Sequence, residues 1–146
     1  MNSMVNELDV TVITDRKLHV LIMDDDIIAT TFICNLLNKL GVTNIQMAEN
    51  GKQGLAILEK SRPDLILCDL GMPELDGVEC LQQLGRKDFN GGIVLISGLH
   101  AEMLSGMELL ARKLGLNVLG TIPKPVAADQ LIPMLVDFCR QSGKHS

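Results

Sequence analysis

The chain has 146 residues, 47% hydrophobic and 21% charged, a length and balance suited to one soluble domain with a two- or three-layer core. Its formal charge of −5, with three Phe and no Trp or Tyr, argues against direct nucleic-acid binding, which calls for basic patches or stacking aromatics. Four Cys without a CxxC pair and three scattered His give no support for a zinc site or a disulfide framework.

Residues 1–16 read as a leader, in which Val10-Thr11-Val12-Ile13 has strand propensity but no evident partner. This leader has no signal-peptide pattern, and no apolar run in the chain approaches the roughly 20 residues of a membrane span, so the expected compartment is the cytoplasm with no membrane contact. His19-Val20-Leu21-Ile22-Met23 is the first strand and stops at Asp24-Asp25-Asp26, three carboxylates that repel one another unless a cation or base shares them. Apolar residues at helical spacing from Ile28 to Leu40 predict an amphipathic helix that Gly41 ends. A short strand at 44–48 precedes a helix carrying Leu55 and Leu58, which Pro63 closes.

Leu65-Ile66-Leu67-Cys68 is a continuous apolar run ending on Asp69, and Gly71-Met72-Pro73-Glu74-Leu75-Asp76-Gly77 turns the chain into a helix at about 78–84. Phe89-Asn90-Gly91-Gly92 reads as a flexible connection. A fourth strand, Ile93-Val94-Leu95-Ile96, ends at Ser97, and a helix over about 101–114 stops before Gly115. The fifth strand, 117–122, leads into Pro123-Lys124-Pro125. A last helix starts near Ala128 and runs to about Arg140, its start constrained by Pro133, because proline is costly beyond the first turn.

Strands alternating with helices imply an α/β fold whose parallel sheet is covered on both faces. Right-handed crossovers place all the strands' carboxyl ends on one edge, where such sheets bind ligands. Asp24, Asp25, Asp69, Ser97 and Lys124 then share that edge. Taken singly, Asp69 is a turn opener, Ser97 a helix cap and Lys124 a solvated surface residue. As a set they suit phosphoryl transfer. Three carboxylates provide for a hard divalent cation such as Mg²⁺, an aspartate beside it can act as nucleophile, and an ammonium and a hydroxyl can neutralise the transferring group's oxygens.

Met23-Asp24-Asp25, Asp69-Leu70-Gly71-Met72-Pro73-Glu74-Leu75-Asp76-Gly77, Ser97 and Lys124-Pro125, in this order, resemble a bacterial two-component response regulator receiver domain over residues 17–140, leaving the leader and a polar tail at 141–146. The resemblance implies a flavodoxin-like (βα)5 three-layer sandwich of strand order 2-1-3-4-5, and a cis bond between Lys124 and Pro125. It implies that Asp69 accepts a phosphoryl group from the phosphohistidine of a sensor histidine kinase or a histidine phosphotransfer protein. The protein would thus catalyse its own phosphorylation while acting mainly in signalling. Asp25, Asp69 and the Gly71 carbonyl would hold Mg²⁺, Asp24 would act through water, and Lys124 and Ser97 would assist transfer. Homodimerisation through the helix at 101–114, the fifth strand and the last helix is a further expectation of the resemblance.

One position departs from the pattern. Many receivers carry Tyr or Phe three residues before the lysine, a ring that turns inward as the Ser or Thr hydroxyl moves onto the phosphoryl group; here Thr121 stands there. The expectation is that signalling instead moves the loop after Ser97 and the helix at 101–114, biasing two packings of one surface. Gly91-Gly92-Ile93-Val94-Leu95-Ile96-Ser97-Gly98 and Lys113-Leu114-Gly115-Leu116-Asn117-Val118-Leu119-Gly120 are similar to receivers that precede EAL-type cyclic-di-GMP phosphodiesterase domains. No EAL motif lies within these residues, so phosphodiesterase activity is not expected of this chain itself.

Two other readings compete. The first strand and Asp24-Asp25-Asp26 resemble a haloacid-dehalogenase-type phosphatase with Asp24 as nucleophile and Asp26 as acid/base, but that leaves Asp69 and Lys124-Pro125 without a role. A receiver fold that binds partners without phosphorylation is the other. Dinucleotide binding is disfavoured, because three carboxylates stand where a phosphate cradle needs glycines.

Overall fold

The computed structural model describes residues 7–71, 77–98 and 100–143. Its elements in chain order are α1 (Glu7–Arg16), β1 (His19–Met23), α2 (Ile27–Lys39), β2 (Asn44–Ala48), α3 (Gly51–Lys60), β3 (Leu65–Asp69), α4 (Gly77–Arg86), β4 (Gly92–Ser97), α5 (Ala101–Lys113), β5 (Asn117–Pro123) and α6 (Ala128–Gly143). The strands pair in the parallel order β2-β1-β3-β4-β5, so the architecture is the flavodoxin-like three-layer sandwich.

The apolar runs are continuous because both sheet faces are covered. Alternate residues serve opposite cores. Val20, Ile22, Leu65, Leu67, Val94 and Ile96 pack with α1, α2 and α6, while Leu21, Met23, Ile66, Cys68, Ile93 and Leu95 pack with α3, α4 and α5. Gly54 of α3 lies against Met23, where a Cβ would come within 2.5 Å of the methionine methyl, so a side chain there would require Met23 to shift. Against β4, β5 carries a bulge: Ile93 pairs with Val118 and Val94 with Gly120, leaving Leu119 as the extra residue.

Three sequence expectations are corrected. The β-branched stretch at 10–13 is helical: α1 packs against α6 and buries Ile13 completely, and this tertiary contact overrides local strand propensity. The hydroxyl of Thr14 donates to the Leu40 carbonyl at 2.7 Å, tying α1 to the end of α2 as well. Phe89, expected in a flexible connection, is 3% exposed and anchors the segment before β4. Pro133 lies inside α6, which begins at Ala128 as anticipated but carries the proline beyond its first turn. The start of the leader at 1–6, Met72 to Asp76 in the loop after β3, Leu99 in the loop after β4 and the tail at 144–146 fall outside the described residues. Among the described residues, no helix is long and apolar enough to cross a membrane.

Candidate functional site

Register brings the five sequence-derived residues to one edge. Met23 pairs with Cys68, Asp69 with Ile96, and Ser97 with Pro123, so Asp24, Asp69, Ser97 and Lys124 emerge from adjacent strands β1, β3, β4 and β5. Backbone bonds extend the sheet beyond the strand ends: the Asp24 amide donates to the Ala48 carbonyl, that of Leu70 to Ile96, and that of Lys124 to Ser97, each at 3.0 Å. These side chains therefore stand on backbone that is hydrogen-bonded into the sheet. The Lys124–Pro125 bond is cis, as the resemblance implied.

Asp69 is 2% exposed, and both its oxygens are held. Oδ2 accepts from Lys124 Nζ at 2.9 Å, and Oδ1 from the Gly71 amide at 3.0 Å. The Gly71 amide is a contributor that sequence reasoning did not assign; a glycine two residues past a strand-end aspartate was the available signal. Ser97 is buried beside this site at the end of β4.

Asp24, Asp25 and Asp69 offer carboxylate oxygens that lie within 4.8 Å of one another. Asp25 is exposed, whereas Asp24 is 4% exposed. Asp24 Oδ1 accepts from the Asp26 amide at 2.9 Å, but its Oδ2 is buried with no hydrogen-bond partner among the described residues. Burial pushes the Asp24 carboxyl up to about 6; the Asp26 amide opposes that shift, and the negative charge of Asp69 adds to it. A buried, unpaired carboxylate oxygen beside two further carboxylates forms an all-oxygen donor set suited to a hard divalent cation.

Lys124 balances some of this charge. Partial burial pulls its pKa down, but the hydrogen bond and charge of Asp69, with the charges of Asp24 and Asp25, outweigh that and raise it. Asp26 is occupied elsewhere: its carboxylate caps α2, accepting from the amides of Ile28 at 2.9 Å and Ala29 at 3.3 Å. That placement does not favour an acid/base role for Asp26, and the lysine pairs with Asp69 rather than with Asp24.

The Response regulator receiver domain family model matches residues 20–136. The Chemotaxis protein CheY of Listeria monocytogenes is 31% identical over 118 residues, covering 81% of this chain and 95% of that protein. Two solved structures show likeness of fold. One is the Saccharomyces cerevisiae receiver domain of a response regulator co-crystallised with its histidine phosphotransfer signaling protein: 23% identity, TM-score 0.73, 86% of this chain and 91% of that one. The other is the Borrelia burgdorferi CheX–CheY–BeF3–Mg²⁺ complex: 23% identity, TM-score 0.72, 82% of this chain and 87% of that one.

Proposed function

This chain belongs to the response regulator receiver domain family, and from that premise we propose that it takes a phosphoryl group onto Asp69 from a phosphohistidine and signals by the change that follows. The carrying observation is a buried aspartate held by a lysine ammonium and a backbone amide, beside two further carboxylates. An oxygen of Asp69 attacks phosphorus as the bond from phosphorus to the donor imidazole nitrogen breaks, and the electron pair leaves with that nitrogen. Lys124 is positioned to neutralise an equatorial oxygen, and the Ser97 hydroxyl, at the end of the neighbouring strand, donates to another.

Asp25, Asp69 and the Gly71 carbonyl would hold Mg²⁺, with Asp24 engaging it through water. The ion, when bound, neutralises charge on the carboxylates and on the transferring group. Asp24 Oδ2, buried without a partner, supports this assignment. The donor we assign is a sensor histidine kinase or histidine phosphotransfer protein, the class of partner in the yeast co-crystal. We take 17–140 as the receiver unit, working in the cytoplasm, with α5, β5 and α6 as its self-association face. Its output is a separate domain or partner, for which the β4 and α5–β5 segments suggest the EAL class.

Intact mass after incubation with acetyl phosphate, with and without Mg²⁺, tests the reading on wild type and Asp69→Asn. The expected result is a Mg²⁺-dependent gain of one phosphoryl group in wild type alone. No gain with either acetyl phosphate or a phosphohistidine protein would leave the phosphorylation-independent binding module as the better reading.

A further inference from the structure

Only Lys17 and Leu18 join the first helix to β1, and both sides of that joint are fixed. On one side the Thr14 hydroxyl bonds the Leu40 carbonyl and lies so close over Gly41 that a Cβ there would come within 2.7 Å of its oxygen. On the other, Leu18 is buried in the core beneath α1, α2 and α6, and the His19 amide donates to Asp64 Oδ2 at 2.8 Å. Lys17, which is exposed, is the swivel between them.

The closed joint is held at a cost. Lys17 has φ 53°, a left-handed conformation in which its Cβ crowds the backbone. Elsewhere the chain gives such positions to residues that tolerate them: Gly41 after α2, Asp88 after α4 and Gly115 after α5. Beside Lys17, the Nε of Arg16 is buried with no hydrogen-bond partner among the described residues. A short hinge under strain is relieved when its two elements part, provided the helix finds an equivalent seat. A second copy offers that seat. Val10, Val12 and Ile13 of α1 pack into the core shared with α2 and α6, and an identical chain presents the same apolar surface and the same Leu40 carbonyl.

We propose that two copies of this chain exchange their first helices, each α1 packing on the α2 and α6 of the other copy while Lys17 relaxes to an extended conformation. Each seat reproduces the contacts of the monomer, so the arrangement is two-fold symmetric and closes at a dimer. Because α2 begins beside the carboxylates and ends next to Leu40, Thr14 sits at the opposite edge of the sheet from Asp69. The exchange therefore neither needs nor blocks phosphoryl uptake, and the inference stands apart from the acceptor reading of Asp69.

Size-exclusion chromatography with light scattering on the full chain, without a phosphodonor, tests this. Wild type should run as monomer and dimer, and the isolated dimer should survive dilution through the run, because parting it requires both helices to leave their seats. Lys17→Gly adopts the closed hinge freely and should weaken the dimer about thirtyfold, since the strain that drives exchange is removed from both copies. Lys17→Pro, whose ring fixes φ at about −65°, cannot close the hinge and should be dimeric at every concentration. Leu109→Asp, at an exposed position of α5, should leave the dimer in place. A wild type that stays monomeric at its highest soluble concentration, a dimer that Lys17→Gly leaves unchanged, or one that Leu109→Asp abolishes overturns the inference. If Lys17→Pro does not fold, the Lys17→Gly shift decides it.

Discussion

Asp24 shows how one residue can cost stability and serve chemistry together. Its carboxylate is buried, carries an oxygen without a hydrogen-bond donor, and faces the charge of Asp69. Asp24→Asn removes that charge at nearly constant volume. It should stabilise the metal-free chain by about 2 kcal/mol in urea unfolding with chelator present, while weakening any response to Mg²⁺. A loss of stability would mean that the carboxylate is better compensated than its surroundings indicate. At this scale the sequence was informative where a residue ends a strand, because a βα unit fixes the edge from which such a side chain emerges. It was silent on how those side chains pair. That Lys124 bonds Asp69, that Asp26 caps α2 while its amide holds Asp24, and that the Gly71 amide reaches Asp69 all depend on three-dimensional register.

Among the elements, the five strands and the helices between them were readable because burial on two faces writes unbroken apolar runs and packing on one face writes helical spacing. The leader was not, since four residues of β-branched character over 10–13 favour a strand locally, and the helix they form depends on α6 at the far end of the chain. Ile13→Ala should therefore destabilise the domain by about 2–4 kcal/mol, seen in urea unfolding, without abolishing phosphoryl uptake. Cys139, buried on α6 near Arg16, offers a second probe. Burial pushes its thiol up to about 11 from an ordinary 9.0, only partly offset by Arg16. Above pH 9 the unfolded chain loses this proton first, so stability falls as pH rises from about 9 towards 11. The loss between pH 8 and 10.5 should be smaller in Cys139→Ala by about 2 kcal/mol.

For the whole molecule, an ion bound only by the folded acidic edge must stabilise the fold by mass action. At ten times its dissociation constant Mg²⁺ should add about 1.4 kcal/mol, raising Tm by about 3–6 °C, and Asp25→Ala should remove most of that shift in a thermal scan against chelator. An equal rise in the variant would place the cation elsewhere. The packing of α1 on α6 joins segments from opposite ends of the chain, so the entropy of closing so long a loop is recovered only after the sheet between them has assembled. Folding can pass its barrier before that junction closes, whereas escape from the native state must first open it. Ile13→Ala should thus leave the refolding arm of a stopped-flow chevron nearly unmoved and speed the unfolding arm. The first helix acts as a latch that sets how long each molecule stays folded.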